Sequence, residues 1–438
     1  MRYCLLLAAA LLLAACSRPS APAADDAFDA SAAIAYCHRQ VLRSLAQMTA
    51  ADGTVDFTVM PRCVAAGDTA WTLRPVCAEE WCSGFYPGIL WLDYSLTPDP
   101  AVRRAAMAAT DAMQVIVEKP VFDHDLGFLV FCSAGTALRV LTRELADGGL
   151  PDSLRRADEA ALARYRRLCE RAADSLATLF RPAVGTILSW PRATAKYGGH
   201  NTIMDNMLNL ELLCWAADEG SSALAHRDSL RAMAVSHART TMRHHFRADG
   251  STYHVAVYDS VDGRFIRGVT HQGLSDSSTW ARGQAWAVYG FTMMARATGS
   301  KAFLRQACTA ADVFLSRLPA DGVPFWDFSD PRIATSPEGP APATVTSAPR
   351  DASAAAVVAS ALVELASLTG DAADAACYMA AARCLLSALS SADYQSRGAN
   401  SAFLLHSTGN LPRGSEVDVP IVYADYYYLE ALSRLAER

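Results

Sequence analysis

The sequence predicts an all-α protein, a closed (α/α)6 barrel of about twelve helices with an active site at one mouth. Three observations favour this fold class. Apolar residues recur at helical spacing along most of the chain, which indicates amphipathic helices. Many of these helices are joined in pairs by short turns. Long polar connections, rich in aromatic residues, follow every second helix.

The helices can be placed in order. The first, at 32–48, carries Ile34 and Leu45 near one face. Turns such as Gly148-Gly149 separate the helices, because glycine interrupts helical structure. The further predicted helices are 86–96, 99–117, 126–146, 151–180, 205–218, 222–246, 280–297, 301–317, 351–369, 371–390 and 423–437.

The connections decide between two architectures. Paired helices build either a closed barrel or an open solenoid. A solenoid should show a repeating sequence unit, and none is visible. The long connections are 51–83, 181–204, 247–279, 318–350 and 391–422. In a barrel they would meet at one end and form a pocket, since long loops in a compact domain are usually functional. One strand hairpin is predicted among them, from 251–258 and 265–269.

The N-terminus carries an export signal. One arginine precedes a short apolar run, which is typical of a secretory signal and shorter than the roughly 20 residues of a membrane span. The run ends in Leu-Ala-Ala before Cys16, which looks like a bacterial lipobox. We therefore expect a signal peptide at 1–16 and a flexible tether at 17–28. A catalytic (α/α)6-barrel domain is expected at 29–438. The alternative is an ordinary signal peptide with an incidental cysteine.

Lipidation of Cys16 would make the protein an exported bacterial lipoprotein, anchored in the outer membrane or facing the periplasm. Ser17 after the cysteine, rather than Asp, favours the outer membrane. No later segment is expected to be long and apolar enough to cross a bilayer. Disulfides could form among Cys63, Cys77 and Cys82, which lie in loop-like sequence, but their pairing cannot be read from the sequence.

Charge and motif content exclude several partners. The net charge is −6, which argues against nucleic acid because nucleic-acid sites need basic surfaces. An anionic substrate must then be met by a local positive site. The chain has no G-x-S-x-G elbow, no H-E-x-x-H zinc motif and no Gly-rich phosphate loop. No metal and no organic cofactor is therefore expected.

Four polar stretches stand at loop-to-helix junctions and would face the same mouth. They begin at Asp123, Gly198, His271 and Arg350. The simplest interpretation is helix capping, where an Asp contributes about 1 kcal/mol, and it suits Asp123 and Asp351 best. Capping explains less for Asp205, because Asn209 lies on the same helix face. Carboxylates beside aromatic residues are typical of glycosidases, and Trp280, Arg282 and Gln284 crowd one helix start as a carbohydrate platform would.

Ordered motifs carry a family resemblance over nearly the whole mature chain. They are WCSGFYPG (81–88), HDLGF (124–128), HNTIMDNMLN (200–209), VTHQG (269–273), WARGQAWAVYG (280–290), PFWDF (324–328), RDASA (350–354) and YADYYYLEAL (423–432). In these motifs the chain resembles the unsaturated glucuronyl hydrolases, glycoside hydrolase family 88. The resemblance implies an (α/α)6 barrel and an exo-acting hydrolase. Its substrate would be an oligosaccharide, left by a lyase, that ends in a Δ4,5-unsaturated uronic acid, with glycosaminoglycan fragments the expected source.

Alternatives stay open. The related unsaturated rhamnogalacturonyl hydrolases share the fold and chemistry, and typically show Gly-Asn-Gly-Trp where 283–286 here read Gly-Gln-Ala-Trp. A non-catalytic glycan-binding lipoprotein is another, although a pure binder has no need for both Asp125 and Asp205. A structural helical lipoprotein is a third, and the aromatic residues at the mouth argue against it. The oligomeric state is not readable.

The resemblance also implies residue roles. Asp205 would be the general acid/base, Asp125 its partner carboxylate, and Arg282 the contact to the carboxylate of the substrate. Other matching positions would surround the sugar or form the pocket walls: Trp81, His254, Gln272, Trp280 and Trp286. In the C-terminal connection Arg413 and Ser415 could meet a sulfate, whereas Glu416 and Asp418 would repel one, so sulfate preference stays open.

The implied mechanism makes a demand on Asp205. Its carboxylic acid would protonate C4 of the C4=C5 double bond, water would add at C5, and the resulting hemiketal would open to release the rest of the chain. An acid with an ordinary pKa near 4 is poorly suited to neutral pH, and a helix start would lower the pKa further. We therefore expect repulsion by Asp125, together with burial, to raise the pKa of Asp205.

Overall fold

A computed structural model describes residues 28–149, 151–222, 224, 227–333, 335–336, 339–340 and 348–438. The predicted signal peptide at 1–16, Cys16 and nearly all of the predicted tether at 17–28 lie outside these ranges. They therefore remain sequence predictions.

Helices alternate between an outer and an inner ring along the described chain. In chain order they are α1 (Ala30–Met48), α2 (Phe85–Leu96), α3 (Pro100–Ala112), α4 (Thr136–Asp147), α5 (Asp152–Ala177), the single turn α6 (Thr194–Tyr197), α7 (Asn206–Glu219), α8 (Arg227–His244), α9 (Ala281–Thr298), α10 (Lys301–Ser316), α11 (Ala352–Leu368), α12 (Ala372–Leu389) and α13 (Val422–Ala436). The predicted helices are found within a few residues of these bounds. The predicted 222–246 begins later than expected, at Arg227, and the first part of the predicted 126–146 is a π-helix that precedes α4.

The inner ring consists of α2, the π-helix Gly127–Gly135 that continues as α4, α7, α9, α11 and α13, and each of these packs on the next, with the π-helix making the contact to α7. α13 then packs on α2 and closes the ring. Inner helices such as α9, α11 and α13 are buried on nearly every face, which an apolar helix achieves only when neighbours surround it. The outer helices bury one face each. The predicted (α/α)6 barrel is confirmed.

Long connections run from each outer helix to the next inner helix, and short turns run back. The starts of the inner helices therefore lie at one end of the barrel, as Gly84, Asp205, Trp280, Asp351 and Ile421 show by preceding α2, α7, α9, α11 and α13. Helix starts carry partial positive charge. This end of the barrel consequently favours an anionic ligand even though the whole chain is acidic.

Short strands decorate the connections. They are β1 (Val59–Cys63), β2 (Thr72–Pro75), β3 (Phe180–Arg181), β4 (Thr186–Ile187), β5 (His200–Ile203), β6 (Val255–Tyr258), β7 (Phe265–Val269), β8 (Thr335–Ser336) and β9 (Gly339–Pro340). The predicted hairpin is confirmed as the antiparallel pair β6 and β7. β5 adds a third strand on the other side of β6. Its four residues are too few to show a strand pattern in the sequence.

The helix predicted at 126–146 begins as a π-helix over Gly127–Gly135 and continues as α4. The backbone N–H groups of Gly127 and Phe128 donate to Asn209 Oδ1 at 2.7 and 3.1 Å. The first N–H groups of a helix lack acceptors within it. The side-chain oxygen of Asn209, on α7, supplies an acceptor for two of them. A Cβ at position 127 would lie 2.6 Å from the same oxygen, and glycine is therefore required.

One outer helix corrects an expectation about membranes. α12 is long and apolar enough, by length and composition, to cross a bilayer, although no such segment was expected after the N-terminal run. Its alanines account for this apolarity. α12 packs along α11 and buries Tyr378, Leu385 and Leu386 there, as an outer helix of the barrel does. Cys63, Cys77 and Cys82 keep free thiols in the described structure.

Gly127→Ala should lower the free energy of unfolding by about 1–3 kcal/mol, because the new methyl group overpacks the contact with Asn209. Chemical denaturation measures the effect. Gly370→Ala is the matched control, since nothing lies within 4 Å of a Cβ at that position. Equal stability of the two variants would contradict the proposed close contact between the π-helix and α7.

Candidate active site

A pocket of about 460 Å³ opens at the mouth where the inner helices begin. This volume lies within the usual range of roughly 300–1,000 Å³ for small-molecule sites. Side chains from connections far apart in sequence line it. Of the residues predicted for the site, these line the pocket: Trp81, Asp125, Asp205, Gln272, Arg282 and Ser415.

The sheet brings Asp205 next to His254. In the antiparallel pair of β5 and β6, Ile203 lies opposite Val255. Met204 and Asp205, which follow Ile203, therefore lie beside His254, which precedes Val255. The Met204 N–H donates to the His254 carbonyl at 3.0 Å. His254 Nε2 lies 3.5 Å from Asp205 Oδ2. Such long contacts are common in ligand-free active sites and tighten when substrate binds.

Asp125 belongs to a chain of polar contacts beside the start of the π-helix. Its Oδ1 lies 3.3 Å from His124 Nε2, and its backbone N–H donates to Asp123 Oδ1 at 3.2 Å. His124 Nδ1 lies 3.0 Å from the Ser189 carbonyl. The capping interpretation of Asp123 is wrong, because its carboxylate bonds within this loop and no helix begins there.

The two buried carboxyls have opposite pKa shifts. Burial, followed by the negative charge of Asp205, raises the pKa of Asp125 to about 7. Burial by itself would raise the pKa of Asp205, and it is the largest single influence on that pKa. The hydrogen bond and charge of His254, with His124 and Arg282, outweigh burial and lower that pKa below its ordinary value. The prediction that the pKa of Asp205 is raised is therefore wrong, since Asp125 has the raised pKa.

The ligand atoms of Asp123, His124 and Asp125 lie within 4.8 Å of one another, which is the proximity a cation site needs. The internal contacts of the loop account for this cluster, because His124 is engaged by the Ser189 carbonyl and by Asp125. Asp123 in turn is engaged by the Asp125 backbone. We assign no metal role to these residues.

Arg282 is almost fully buried in the pocket wall. Its Nη1 donates to Asp351 Oδ2 at 2.6 Å and to the Thr408 carbonyl at 2.7 Å, while Nη2 donates to the Gly409 carbonyl at 2.6 Å. The capping interpretation of Asp351 is wrong: it stands before α11, but its side chain makes no cap hydrogen bond and binds Arg282 instead. Three protein oxygens thus accept hydrogen bonds from the guanidinium that was expected to bind substrate.

Two residues predicted to contact substrate lie away from the pocket. Gln284 is fully buried and donates to the carbonyls of Gly250 and Ala310 at 3.3 and 3.1 Å. Trp286 packs between Phe128 and Tyr427 in the core, with ring centroids 5.5 and 5.6 Å away. The structure thus places neither side chain in the pocket wall. A helix turns about 100° per residue, so Gln284 points away from the side that carries Arg282, and Trp286 lies one turn deeper.

Trp280 and His254 act from behind the pocket surface. The Trp280 ring lies 4.4 Å from the His254 ring and 4.5 Å from the Arg282 guanidinium, measured to ring centroids. Neither Trp280 nor His254 is among the pocket-lining residues. Their contact with the sugar stays a prediction, and in the structure His254 lies beside Asp205 and Trp280 beside Arg282. Gln272 lines the pocket and donates to the Gly409 carbonyl at 3.0 Å.

An aromatic wall, which the sequence motifs did not predict, forms one side of the pocket. Trp190 stacks on Tyr197 with ring centroids 5.9 Å apart and an interplanar angle of 19°. Trp190 also contacts His271 at 4.8 Å, and Lys196 lies beside Tyr197. All four residues line the pocket. Their position in the predicted mouth connection 181–204, and in the VTHQG motif, was a usable signal.

The C-terminal connection supplies the rim. Ser415 and Arg413 are exposed there and line the pocket. Glu416 accepts two hydrogen bonds from Arg62, at 2.5 and 2.8 Å. Asp418 contacts His406 Nδ1 at 2.8 Å. Both carboxylates that were expected to repel a sulfate therefore have partners, which weakens that objection.

Known proteins resemble this chain over most of its length. An unsaturated glucuronyl hydrolase of Formosa agariphila is 40% identical over 366 residues, which are 83% of this chain and 81% of that protein. An unsaturated chondroitin disaccharide hydrolase of Streptococcus pyogenes serotype M1 is 32% identical and covers 81% of each chain. A solved unsaturated glucuronyl hydrolase specific for heparin has a TM-score of 0.77 at 36% identity, covering 93% of this chain and 97% of the other. No protein-family profile matches the chain.

Asp351→Ala should lower the free energy of unfolding by about 3–5 kcal/mol, because it leaves the buried Arg282 guanidinium without its counter-charge. Thermal or chemical unfolding measures the loss. Glu437→Ala is the control, since its pair with Arg143 has side chains 50% and 62% exposed and should contribute less than about 1 kcal/mol. Similar small losses in both variants would show that Arg282 does not depend on Asp351.

Proposed function

This chain belongs to the unsaturated glucuronyl hydrolases, a family of glycosidases, and from that premise we propose that it removes the terminal Δ4,5-unsaturated uronic acid from lyase-generated glycosaminoglycan fragments. The observation that carries the proposal is the buried pair Asp125 and Asp205 in a pocket that also presents Arg282 and an aromatic wall. A pocket of this size suits a disaccharide-sized ligand better than a long polymer.

The proposed chemistry needs one proton and one base. A raised pKa on one carboxyl and a lowered pKa on the other leave the pair with one proton near neutral pH. That proton goes to C4 of the sugar, and water adds at C5. The oxygen of the water and one of its hydrogens stay at C5. Its other proton returns to the carboxyl pair, so the enzyme is regenerated. The hemiketal opens to a keto sugar and releases the remaining sugar as its alcohol.

The charge of the site fits a uronate. The starts of the inner helices surround the pocket and offer partial positive charge. Lys196 and Arg413 add exposed cations at the rim. Among the described residues, no ion pair engages Arg413, so its charge is available to an anion. This local field meets an anionic sugar although the net charge of the chain is −6.

The source of the fragments is proposed from the relatives. One solved relative is described as specific for heparin, and a curated relative as a chondroitin disaccharide hydrolase. Heparin and chondroitin are both glycosaminoglycans. We therefore propose that class of substrate rather than one polymer. The rhamnogalacturonan alternative was raised by the sequence at 283–286. Gln284 in that motif is buried away from the pocket, so the difference there gives no reason to favour it.

We also propose export and lipid anchoring through Cys16. The charged start, the short apolar run and the cysteine after Leu-Ala-Ala support this. The predicted tether at 17–28 ends just before α1 begins at Ala30. The protein would then stand at the outer membrane or in the periplasm.

Purified protein mixed with an unsaturated chondroitin disaccharide should remove the near-ultraviolet absorbance of the conjugated double bond. Asp205→Asn should slow this by about 10²–10⁴-fold, which is the usual contribution of an acid–base group. Asp228→Asn, an exposed Asp→Asn change in α8, should leave the rate unchanged. Failure on chondroitin, heparin and hyaluronan disaccharides would contradict the proposal and direct the assay to rhamnogalacturonan fragments.

Cys16→Ala should move the protein from the membrane fraction to the soluble fraction of the producing bacterium, because no acyl chains would be attached. Fractionation with immunoblotting measures the change, with Cys63→Ala as the control variant. Membrane association that survives Cys16→Ala would refute the lipid anchor.

A further inference from the structure

A short hairpin of the C-terminal connection stands at the rim of the pocket, and we call residues 407–419 the rim hairpin. Its two arms pair at the base through Ser407 and Val419, whose backbone groups exchange hydrogen bonds of 3.0 and 2.9 Å. They pair again near the tip through Asn410 and Ser415, at 2.9 and 3.0 Å. Five residues of the rim hairpin line the pocket: Gly409, Asn410, Arg413, Ser415 and Glu416.

The two arms of the rim hairpin are held by different parts of the barrel. The first arm lies against the inner ring, because two of its carbonyls accept hydrogen bonds from Arg282. The second arm lies beside β1. Just after this arm the Pro420 carbonyl accepts a hydrogen bond from the Val64 N–H at 3.1 Å. This pairing brings Arg62, on β1, to Glu416.

Arg62 and Glu416 make a two-pronged contact. Arg62 Nε donates to Glu416 Oε1 at 2.5 Å, and Nη2 donates to Oε2 at 2.8 Å. Two parallel hydrogen bonds between a guanidinium and a carboxylate fix direction as well as distance. The side chains are only 15% and 12% exposed, so solvent screens this pair much less than a surface pair. The contact therefore holds the second arm firmly against β1.

The backbone of the second arm needs such a restraint. Glu416 and Asp418 have φ angles of +54° and +55°, a left-handed conformation that costs a residue other than glycine about 1–3 kcal/mol and persists only where the surroundings hold it. Asp418 is held by His406, in a pair whose side chains are 49% and 41% exposed. Exposed pairs contribute little. Arg62 is thus the stronger of the two side-chain restraints on this arm.

The same guanidinium also holds the neighbouring pocket wall. Arg62 Nη1 donates to Glu80 Oε1 at 2.6 Å and to Cys82 Sγ at 2.8 Å. These two residues flank Trp81, whose ring centroid lies 5.4 Å from the guanidinium carbon. Each of the three nitrogens of Arg62 therefore has a protein partner. The residue joins the rim hairpin to the wall that carries Trp81, although it stands in a pocket suited to anions.

The rim hairpin lies where the second sugar of a fragment would be. The buried carboxyl pair defines the place of the terminal sugar, so the next sugar lies towards the rim, where Arg413 and Ser415 are exposed. We propose that Arg62 is a positioning residue that clamps Glu416 and so holds the rim hairpin against the sugar that leaves. This inference rests on the proposed function. It makes the clamp a determinant of substrate affinity rather than of the chemical step.

Glu416→Gln keeps the size of the side chain but removes its charge and one of the two hydrogen bonds. The KM for the unsaturated chondroitin disaccharide should rise about 10-fold, because a rim hairpin that is in place a tenth of the time lowers the apparent affinity by that factor. The kcat should stay within about twofold, as expected when binding alone is lost. An unchanged KM, or a fall in kcat without a rise in KM, would overturn the proposal.

Glu437→Gln is the matched control for this measurement. It makes the same chemical change in the pair with Arg143, whose side chains are exposed. This pair follows the end of α13, at the opposite end of the barrel from the pocket. The KM and the kcat should both stay at their wild-type values, because exposed pairs contribute little. A KM that rises equally in both Glu→Gln variants would contradict a specific role of the clamp.

Arg62→Lys separates the geometry of the clamp from its charge. A lysine keeps the positive charge but cannot form two parallel hydrogen bonds, so the KM should rise as in Glu416→Gln. The charge of Arg62 also opposes the raising of the pKa of Asp125 by burial. Because lysine retains a charge there, the pH dependence of kcat/KM should keep its wild-type shape. A shifted pH dependence with an unchanged KM would show that Arg62 acts on Asp125 and not on the rim hairpin.

The position of the rim hairpin can be measured without any activity. Arg413, exposed at the tip, is a trypsin site, and cleavage of a transiently opened segment follows the population of the open form. Cleavage after Arg413, followed by mass spectrometry, should be about 10-fold faster in Glu416→Gln. Cleavage after Arg156, exposed on α5, should keep its rate and serves as the reference for global unfolding.

Equal cleavage after Arg413 in wild type and Glu416→Gln would overturn the clamp. If every disaccharide assay fails, the proposed function fails, while the trypsin measurement still decides whether Arg62 and Glu416 hold the rim hairpin.

Discussion

The inner ring of helices must close, and the rest of the molecule follows from that constraint. α9, α11 and α13 are apolar on almost every side, so each is stable only between neighbours, and the packing of α13 on α2 completes the circle. Because outer and inner helices alternate, every inner helix then starts at the same end. The pocket, its partial positive charge and its loops all result from this shared direction.

A closed ring positions loops but does not by itself hold them in place. Polar contacts across the pocket perform that task. Arg282 on α9 binds Asp351 before α11 and two carbonyls of the C-terminal connection. Asn209 on α7 binds the start of the π-helix that follows Asp125. These buried contacts fix the distances between residues that are far apart in sequence, which a site for one sugar requires.

The chemistry of the pocket depends on what surrounds two similar carboxyls. Asp125 and Asp205 are both buried, yet the pKa of the first is raised and that of the second is lowered. Burial and the charge of Asp205 raise the pKa of Asp125, whereas His254, His124 and Arg282 outweigh burial at Asp205. The fold itself therefore gives the two acids different pKa values, because it brings the cationic Arg282 and the His254 ring to Asp205.

Much of this protein was determined by local sequence. Helical periodicity and short turns predicted the twelve long helices, and ordered motifs predicted Asp125, Asp205 and Arg282 in one pocket, because spacing and residue type are local properties. Tertiary structure decided the rest. Gln284 and Trp286 share a motif with Arg282 but point elsewhere, since helix rotation separates them. Asp351 holds an arginine rather than a helix start, and the lower pKa belongs to Asp205, because both depend on partners that only folding brings within a few ångströms.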